Sequence, residues 1–461
     1  MTGYVERFLW AMRGVFSRQA TWVWFVVVFV GFVVRGDTFG VSSIVRALAL
    51  SPTCYVCLLH FFHSTAWHAE TLFRFWWQFL ARENAGCRVN GRNVLIGDHT
   101  KTPKDGRRIP EVTTLHQDSE TNSKPSFFRG HHWGAIALLV VAGKKFFGTP
   151  LWAEIHRDDG GQSRTTRLVT VSANIARTLG GPAYLVLDAF FAVGPVFQLA
   201  QLSQGRLRIL TRAKKNIVAY LPPPPPSSPA QRGRPRKYGE KLSLMTLFDS
   251  PRFAFQTFPS QLYQASETVR TLTLDLLWKP VKTTLRFFLI ESSRGRLILM
   301  TDDLTLSAAD ALFLYCRRPA IETLFDTLKN LVGAMGYHFW SRYLRPSSRR
   351  PLKATSPKPT STRPDRTANT LAAIEKFLAV QITVVGLLHL LARTSPAEIL
   401  RTAFCWLRTP CGPTPSEFVT RTALSNTVHA NLRTFASDAM TRLILAKQRN
   451  TANTRSQRKA A

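Results

Sequence analysis

Apolar and polar positions follow different patterns in successive parts of the chain. From residue 1 to 93 the apolar residues recur at helical spacing, with arginine and aromatic residues between them. Between 94 and 220 the apolar runs VLIGD, HHWGAIALLVVAG and AYLVLDAF alternate with the helical segment SRTTRLVTVSANIARTLG, which predicts an α/β fold. The runs TLTLDLLW, KTTLRFFLIE and RLILMTDD, which begin between 262 and 300, predict further β-strands.

Two stretches rich in proline and basic residues divide these patterns. Residues 221–229 include a run of prolines and predict an extended, exposed connector. Residues 345–366 combine Pro, Ser and Thr with basic side chains and predict a mobile linker attracted to phosphate. A helix near 370–393 and a basic helical tail follow. The predicted regions are therefore a helical domain at 1–93, an α/β core at 94–220 and 300–345, a linker with a β-rich insertion at 221–299, and a basic linker with a helical region at 346–461.

One run without charge, Trp22 to Val34, raises the question of a membrane. Its 13 residues fall short of the ~20 that a helix needs to cross a bilayer. Arg35 follows directly, without the small-x-small site at which a signal peptide is cleaved. The run predicts a buried helix, and a basic membrane-associated protein remains the competing interpretation.

The charge of the chain indicates its partner. Lys and Arg number 61 against 28 Asp and Glu, which gives a formal charge of +33 and a sequence pI near 10.9. Such a balance is most stable beside a polyanion, and nucleic acid is the leading candidate. Six irregularly spaced cysteines predict no disulfide framework and fit a reducing cytoplasm.

Three local patterns in this basic chain leave alternatives open. The residues Cys54, Cys57, His60 and His63 contain zinc-ligand types, although a buried helix also explains them. Around Ser51, which could cap a helix opened by Pro52, two apolar segments form either a DNA-reading helix-turn-helix or two packed helices. The segment 232–237 has the composition of a clamp for A·T-rich minor grooves, and it could equally be a phosphate-binding loop or a solvated linker. Its four basic residues are Arg232, Arg234, Arg236 and Lys237.

The most informative pattern spaces four functional groups as Tyr-x2-Arg-x3-Glu-x6-Lys. Its residues are Tyr315, Arg318, Glu322 and Lys329. At ~100° per residue, an α-helix would present all four on one narrow stripe. Pro319 interrupts that helix, so the chain either kinks there or starts a new helix. In both cases Glu322 and Lys329 are predicted to share a face, and Ser307 to Asp310 forms a capping box for the helix that leads in.

Two upstream aspartates follow apolar runs that predict strands. Asp98 ends VLIGD, and Asp188 follows AYLVL. An ionised carboxylate beside apolar neighbours is costly unless metal or hydrogen bonds compensate it, so a helix cap or a hydrogen-bonded core aspartate is the alternative for Asp188. Other carboxylates could substitute, and His99 could support Asp98. These other carboxylates are Asp118, Glu120, Asp302, Asp303 and Asp326.

The combination resembles a large group of insertion-sequence DDE transposases. Further likeness lies in SETNSKPSFFRGHHWGAIALLV and in Gly336 to Trp340, so the resemblance covers about 94–340. It implies a ribonuclease-H-like catalytic core interrupted by a β-rich insertion, with a helical N-terminal DNA-binding or dimerisation domain and a helical C-terminal region. It also implies that Asp98, Asp188 and Glu322 are catalytic and hold two Mg²⁺ ions, or Mn²⁺ in their place. Tyr315, Arg318 and Lys329 would contact phosphates of the transposon ends.

The resulting expectation is an insertion-sequence transposase. Such an enzyme cuts DNA at terminal inverted repeats, joins the ends to target DNA and works as a dimer on DNA. We expect it in the bacterial cytoplasm, associated with the nucleoid and not with a membrane. The alternative is a DNA-binding protein that retains the fold without cleavage.

Overall fold

The computed structural model describes residues 1–117, 126–157, 161–224, 236–262, 265–349, 359–403 and 412–448. The α-helices of this part are α1 Thr2–Ala11, α2 Gln19–Val34, α3 Ser42–Ala47, α4 Cys54–His63, α5 Ala69–Arg82, α6 Arg164–Thr178, α7 Gly194–Gln201, α8 Ala308–Cys316, α9 Ala320–Asp326, α10 Pro364–Thr394, α11 Pro396–Thr402, α12 Glu417–Arg433 and α13 Ala439–Leu445. Its strands are β1 Arg88–Val89, β2 Arg92–Pro103, β3 Thr113–His116, β4 Phe127–Ala142, β5 Lys145–Ile155, β6 Ala183–Leu187, β7 Leu207–Arg212, β8 Val218–Tyr220, β9 Lys241–Ser243, β10 Gln256–Leu262, β11 Ala265–Trp278, β12 Thr283–Ser292 and β13 Gly295–Thr301.

The chain forms two compact units. The first unit contains Met1–Ala85, His99–Asp159 and Thr323–Ala461, and the second contains Gly86–Asp98 and Gly160–Glu322. The division therefore cuts β2 after Asp98 and α9 after Glu322. The domain boundaries expected from the sequence stay predictions.

Helix α10 is the centre of the first unit. It packs against α2, α4, α5, α12 and β5, and its side chains from Thr370 to Ala392 are buried. Among the described helices, α10 is long and apolar enough to cross a membrane, yet 94% of its most apolar window is buried inside the protein. Gly386 allows α5 to approach closely, since a Cβ there would lie 2.2 Å from the Trp76 ring. The apolar sequence of α10 thus serves helix packing.

The N-terminal helices complete this core. The apolar run from Trp22 lies in α2, whose side chains from Phe25 to Val34 are buried, so the predicted buried helix is confirmed. Trp76 and Trp77 donate their indole N–H groups to Pro150 O and Leu151 O, which fastens α5 to β5.

The expected start of α4 is wrong. Helix α4 begins at Cys54, and the side chain of its N-cap residue Thr53 makes no capping hydrogen bond. Ser51 bonds the Thr53 hydroxyl instead of capping the helix. The α4 sequence CYVCLLHFFH has no Lys or Arg, so its exposed face favours packed helices over a DNA-reading motif. Within the described residues, no group of three or more His, Cys, Asp or Glu is arranged to hold a metal ion, and this counts against zinc at Cys54.

Strands β3, β4 and β5 form an antiparallel set in the first unit. The β4–β5 hairpin turns at Gly143, which has a φ of +58°. The second half of β2 runs close to β4, since Lys104 N–H donates to Arg129 O at 2.9 Å. Gly130 permits this approach, because a Cβ there would meet Thr102 O at 2.2 Å.

The second unit contains a mixed sheet. The first half of β2 pairs parallel with β6, and β6 pairs parallel with β7. Strand β13 continues the sheet antiparallel to β7, followed by β12 and β11, while β10 and β8 pair with β11. The observed class is therefore mixed α/β, as the sequence predicts. The predicted strands at β4, β6, β11, β12 and β13 are confirmed, as are the helices α6 and α10.

Candidate active site

Parallel strands bring two aspartates to the same edge of the second unit's sheet. In the register of β2 and β6, Ile96 lies opposite Val186. Asp98 and Asp188 each follow two residues later, so the register places them at the same level. The expectation that the strand ends at Asp98 is wrong, because β2 continues to Pro103. Asp188, in contrast, directly follows the last residue of β6, as predicted.

Asp188 is held by local hydrogen bonds. It caps a short 3-10 turn, in which Phe190 N–H donates to Asp188 Oδ1 at 3.0 Å. Its backbone oxygen accepts a hydrogen bond from Thr211 Oγ1 in β7. Burial raises the pKa of the Asp188 carboxyl, Glu322 adds to the rise, and Arg318 opposes it. The Asp188 side chain therefore caps a helical turn, which is one of the two alternatives that the sequence predicts for it. The charges of Arg318 and Glu322 also act on it.

The signature segment is two helices and not one. Ser307 Oγ accepts from Asp310 N–H at 3.1 Å, which confirms the predicted capping box at the start of α8. Helix α8 ends at Cys316, and α9 begins at Ala320 directly after Pro319. Of the two predicted effects of Pro319, a kink or the start of a new helix, the structure shows the new helix.

Arg318 joins two of the candidate carboxylates. Its Nη1 lies 2.8 Å from Glu322 Oε1, and its Nη2 lies 3.0 Å from the same oxygen and 3.4 Å from Asp98 Oδ2. The Arg318 side chain is 14% exposed and that of Asp98 is 17% exposed, whereas Glu322 is 61% exposed. Arg318 also lowers the pKa of Asp188, so its charge acts on all three carboxylates.

Tyr315 lies at the same edge. Burial raises the pKa of its phenol, while Arg318 and Arg212 lower it and Asp188 raises it further. Arg212 is thus a second guanidinium that acts on this phenol. Sequence reasoning missed Arg212. The signal that could have found it is its place at the end of the apolar run LRIL, in a strand beside the one that carries Asp188.

The three candidate carboxylates are of the ligand type that suits a hard divalent cation. Carboxylate oxygens are the ligands that Mg²⁺ and Mn²⁺ prefer, and Asp98, Asp188 and Glu322 supply three of them on one side of the sheet. The described residues nonetheless contain no group of three or more acidic, histidine or cysteine side chains arranged to hold a metal ion. Arg318 stands among the carboxylates and balances part of their charge. A cation would therefore require the carboxylates to leave Arg318.

Lys329 belongs to the first unit. It lies in a π-helical turn, Thr327–Leu331, so the α-helical spacing that predicts a shared face with Glu322 does not apply there. Its Nζ donates to Thr100 Oγ1 at 2.7 Å, and burial lowers the pKa of its ammonium group.

The other predicted residues lie elsewhere or outside the described residues. Arg236 and Lys237 are exposed on an irregular segment of the second unit. The residues Arg232, Arg234, Asp118 and Glu120 fall outside the described ranges. His99 belongs to the first unit, where its ring lies edge-on to that of His132, and Asp326 accepts a hydrogen bond from Asn330.

Asp302 and Asp303 lie at the opposite edge of the parallel strands. They follow β13, which runs antiparallel to β7, and Ile209 N–H near the start of β7 donates to Asp302 Oδ1 at 2.7 Å. Tyr184, the second residue of β6, donates its hydroxyl to Asp303 Oδ2 at 2.8 Å. This placement removes both as substitutes for Asp98 and Asp188.

Comparisons with known proteins point to one family. A family model described as DDE superfamily endonuclease matches residues 11–270, a range that includes Asp98 and Asp188. No curated protein matches. Among solved structures, a cryo-EM structure of the piggyBac transposase synaptic complex with hairpin DNA is similar over 94% of this chain and 77% of that chain, with 11% sequence identity and a TM-score of 0.35.

Proposed function

Because the chain belongs to the DDE superfamily endonuclease family, we propose that it is a transposase. The proposed reaction is metal-dependent cleavage of DNA at the terminal inverted repeats of a transposon, followed by joining of the ends to target DNA. The observation that carries the proposal is that Asp98 and Asp188 lie at the same level of two neighbouring parallel strands, while Arg318 contacts both Asp98 and Glu322. The core around β2, β6 and β7 would be ribonuclease-H-like.

The three carboxylates would hold two Mg²⁺ ions, or two Mn²⁺ ions. Bound divalent ions at such a site activate the attacking oxygen and stabilise the leaving oxygen of a phosphodiester. Asp188 is suited to this role because partial burial disfavours the charged form of its carboxyl, which would gain from a compensating positive charge. Glu322, the most exposed of the three, is accessible to a substrate.

The basic signature residues would position the DNA backbone. Arg318 presents two Nη groups, and guanidinium binds phosphate oxygens in the same forked geometry in which it binds carboxylates. If cations occupied the carboxylates, Arg318 would be available to bind a phosphate beside them. Tyr315 and Arg212 would orient that phosphate through their hydrogen-bonding groups, and Lys329 would contact a transposon-end phosphate.

The charge of the chain supports DNA as the partner. A formal charge of +33 favours a polyanion, and binding should weaken as salt rises because counterions are released. Arg232, Arg234, Arg236 and Lys237 would add contacts to the backbone or the minor groove. Two transposon ends must meet in one reaction, so a dimer on DNA is part of the proposal, as is the bacterial cytoplasm as its place.

The test is cleavage of a donor plasmid that carries the element's own ends. With Mg²⁺ the wild-type protein should cut at the repeats, and Asp98→Asn and Glu322→Gln should bind the same DNA without cutting it. Asp275→Asn is the matched control, since this exposed carboxylate of the second unit pairs with Arg286 at 2.7 Å, far along the sheet order from β2. Equal cutting by all variants would refute the proposed site.

One observation favours a second candidate, a DNA-binding protein without cleavage. Arg318 already compensates the carboxylates, and the described residues hold no arrangement ready for a metal ion. Under this second function, the wild-type protein binds DNA in a salt-sensitive way, shows no cutting with Mg²⁺ or Mn²⁺, and Glu322→Gln changes neither property.

A further inference from the structure

A cavity in the first unit combines aromatic and basic side chains. Its volume is ≈ 290 Å³, and its walls include His63, Trp340, Arg342, Tyr343, Arg366 and Asn369. Ligand pockets in proteins usually hold about 300 to 1,000 Å³, so this one has room for a single small ring system. Trp340 is the last residue of the segment Gly336 to Trp340, one of the stretches in which the sequence resembles insertion-sequence transposases.

Trp340 is not needed for packing. Its side chain is 62% exposed, whereas Tyr337 and Phe339 in the same segment are 0% and 4% exposed. Phe339 packs edge-on against His63 with ring centroids 5.3 Å apart. The segment is therefore anchored by the residues before Trp340, and the indole ring is left with an open face at the cavity.

The cavity wall is fixed by hydrogen bonds. Thr362 N–H donates to Tyr343 O at 2.9 Å, and Arg345 N–H donates to Thr360 O at 3.0 Å. The Ser341 hydroxyl lies 3.4 Å from that of Thr367, near the start of α10. Main-chain bonds thus tie this wall to the segment just before α10, and a side-chain contact ties it to α10 itself, so the aromatic rings are held in place before a ligand arrives.

The charge of the wall is positive. The Arg342 guanidinium lies over the Tyr343 ring, 4.9 Å from its centroid, and its Nη2 donates to the phenol oxygen at 2.8 Å. Arg366 adds a second guanidinium, whose Nε lies 3.7 Å from Asp365 Oδ2, and no acidic residue is present among the described residues that line the cavity itself. His63 Nδ1 lies 2.9 Å from Leu59 O and must be the protonated nitrogen, which leaves Nε2 of the neutral ring as an acceptor.

We propose that this cavity binds an unpaired nucleobase of single-stranded DNA. Trp340 would stack on the base, Arg342 and Arg366 would bind the flanking phosphates, and Asn369 and His63 would meet the edge of the base. Aromatic stacking next to guanidinium groups is how proteins hold single strands, because each base has a π-face whatever its sequence. A duplex hides that face between neighbouring base pairs. The proposal rests on DNA being the substrate of the proposed function.

The experiment compares single strands that differ only in their bases. Two fluorescent 12-nucleotide strands carry the same phosphates, but one has abasic positions in its centre. The wild-type protein should bind the base-bearing strand more tightly than the abasic one, and Trp340→Ala should weaken binding of the base-bearing strand by about 5- to 150-fold, the range of one stacking contact. Trp340→Phe should retain part of the preference, because a smaller ring still stacks.

The matched control is Phe435→Ala, which removes an aromatic ring that is 75% exposed outside the cavity. It should leave the preference unchanged. A crosslink from 5-iodouracil in the strand should map to Trp340. Equal affinities of Trp340→Ala and wild type for the base-bearing strand, with a crosslink elsewhere, would overturn the proposal.

The outcome separates this inference from the proposed function. Loss of cutting in Glu322→Gln together with no effect of Trp340→Ala would refute the cavity alone. Binding of the base-bearing strand through Trp340, in a protein that never cuts donor DNA, would refute the transposase and leave the cavity in place. If the protein instead bound vesicles of anionic lipid through Trp340 and bound the base-bearing and abasic strands equally, the cavity would be a membrane-binding surface. This result would contradict the proposal.

Discussion

The two edges of the parallel strands in the second unit each carry a group of carboxylates with an arginine, and the two groups differ in how their oxygens are used. At one edge lie Asp98, Asp188 and Glu322 with Arg318. At the other lie Asp302 and Asp303 with Arg208. Composition alone does not separate them.

The carboxylates of the opposite edge, Asp302 and Asp303, are buried and accept several hydrogen bonds from neighbouring elements. Asp302 is 7% exposed, and its oxygens accept hydrogen bonds from Ile209 N–H at 2.7 Å and from Arg208 at 3.3 Å. Asp303 is 4% exposed and accepts from the hydroxyl and the N–H of Thr305 and from Tyr184. Each carboxylate has its own donors from neighbouring elements, which is how a fold accommodates buried charge.

The carboxylates of the first edge share their compensation. One guanidinium serves Asp98 and Glu322, and it also lowers the pKa of Asp188 against the larger effect of burial. Asp188 also has a donor of its own in Phe190 N–H, yet burial still raises the pKa of its carboxyl. A ligand that brings positive charge would therefore stabilise the charged form of Asp188.

The largest expected effect is on cutting. Glu322→Gln should lower the rate of magnesium-dependent cleavage by roughly 10³-fold or more, as removal of an essential catalytic group does. The free energy of unfolding should change by less than about 1 kcal/mol, because the lost ion pair involves an exposed carboxylate. Single-turnover cleavage and urea titration of the same preparation measure both quantities. A variant that cuts at the wild-type rate would remove Glu322 from the site.

The second prediction is that a change at the opposite edge lowers stability and leaves cutting intact. Asp302→Ala should lower the free energy of unfolding by about 2 to 4 kcal/mol, because Ile209 N–H and Arg208 lose a buried acceptor. Cutting per folded molecule should stay near the wild-type value. Urea titration followed by circular dichroism measures the loss. An unchanged midpoint would mean that this edge is not structural, and the comparison would fail.

The third prediction concerns competition for the carboxylates. Arg318→Ala should bind Mn²⁺ about 10-fold more tightly than wild type in the absence of DNA, because a positive charge that opposes the cation is gone. Calorimetric titration or the Mn²⁺ electron spin resonance signal measures this affinity. Arg317→Ala is the control, since that guanidinium lies over the Phe313 ring at 4.7 Å. Weaker Mn²⁺ binding by Arg318→Ala would show that the arginine supports the site.

The smallest effect is on the pH dependence of stability without added metal. Burial would raise the pKa of Asp303, but hydrogen bonds from Thr305 and Tyr184 bring it below its ordinary value of 3.8. Its stabilising contribution is therefore present above pH 3.8 and is lost as the pH falls through the lowered pKa. Asp303→Asn should flatten this acid-induced loss in urea titrations between pH 2.5 and about 5.

Asp188 should behave in the opposite sense. Its pKa is raised by burial above 3.8, so its stabilising contribution is complete below pH 3.8 and is lost as the pH rises through the raised value. Asp188→Asn should therefore be slightly more stable than wild type near neutral pH. If the two variants shift the pH profile in the same direction, the opposite pKa directions of Asp188 and Asp303 are wrong.

The sequence predicts those features of the site that depend on residues close together in the chain. Asp188 was found because an apolar strand ends before it, and the Ser307 capping box and the break at Pro319 follow from short-range chemistry. The end of a strand is a weaker signal. Strand β2 continues past Asp98 to Pro103, beside β4 in the sheet. The apolar run VLIGD does not show that a neighbouring strand is available there.

Tertiary contacts decided what the sequence could not. The extra residue of the π-helical turn at Lys329 has no local signature, so the predicted shared face with Glu322 relied on regular geometry. Asp302 and Asp303 resemble strand-end catalytic residues until Ile209 and Tyr184 from other strands are placed beside them. The exposure of Trp340 likewise depends on which of its neighbours pack into the core.

The most direct measurement is donor-plasmid cleavage by Asp188→Asn and Asp303→Asn, side by side, at a temperature where both are folded. The account predicts that Asp188→Asn binds the transposon ends but does not cut them with Mg²⁺, while Asp303→Asn cuts at a rate per folded molecule close to that of wild type. Cutting by Asp188→Asn, or loss of cutting by a fully folded Asp303→Asn alone, would contradict the assignment of the two edges.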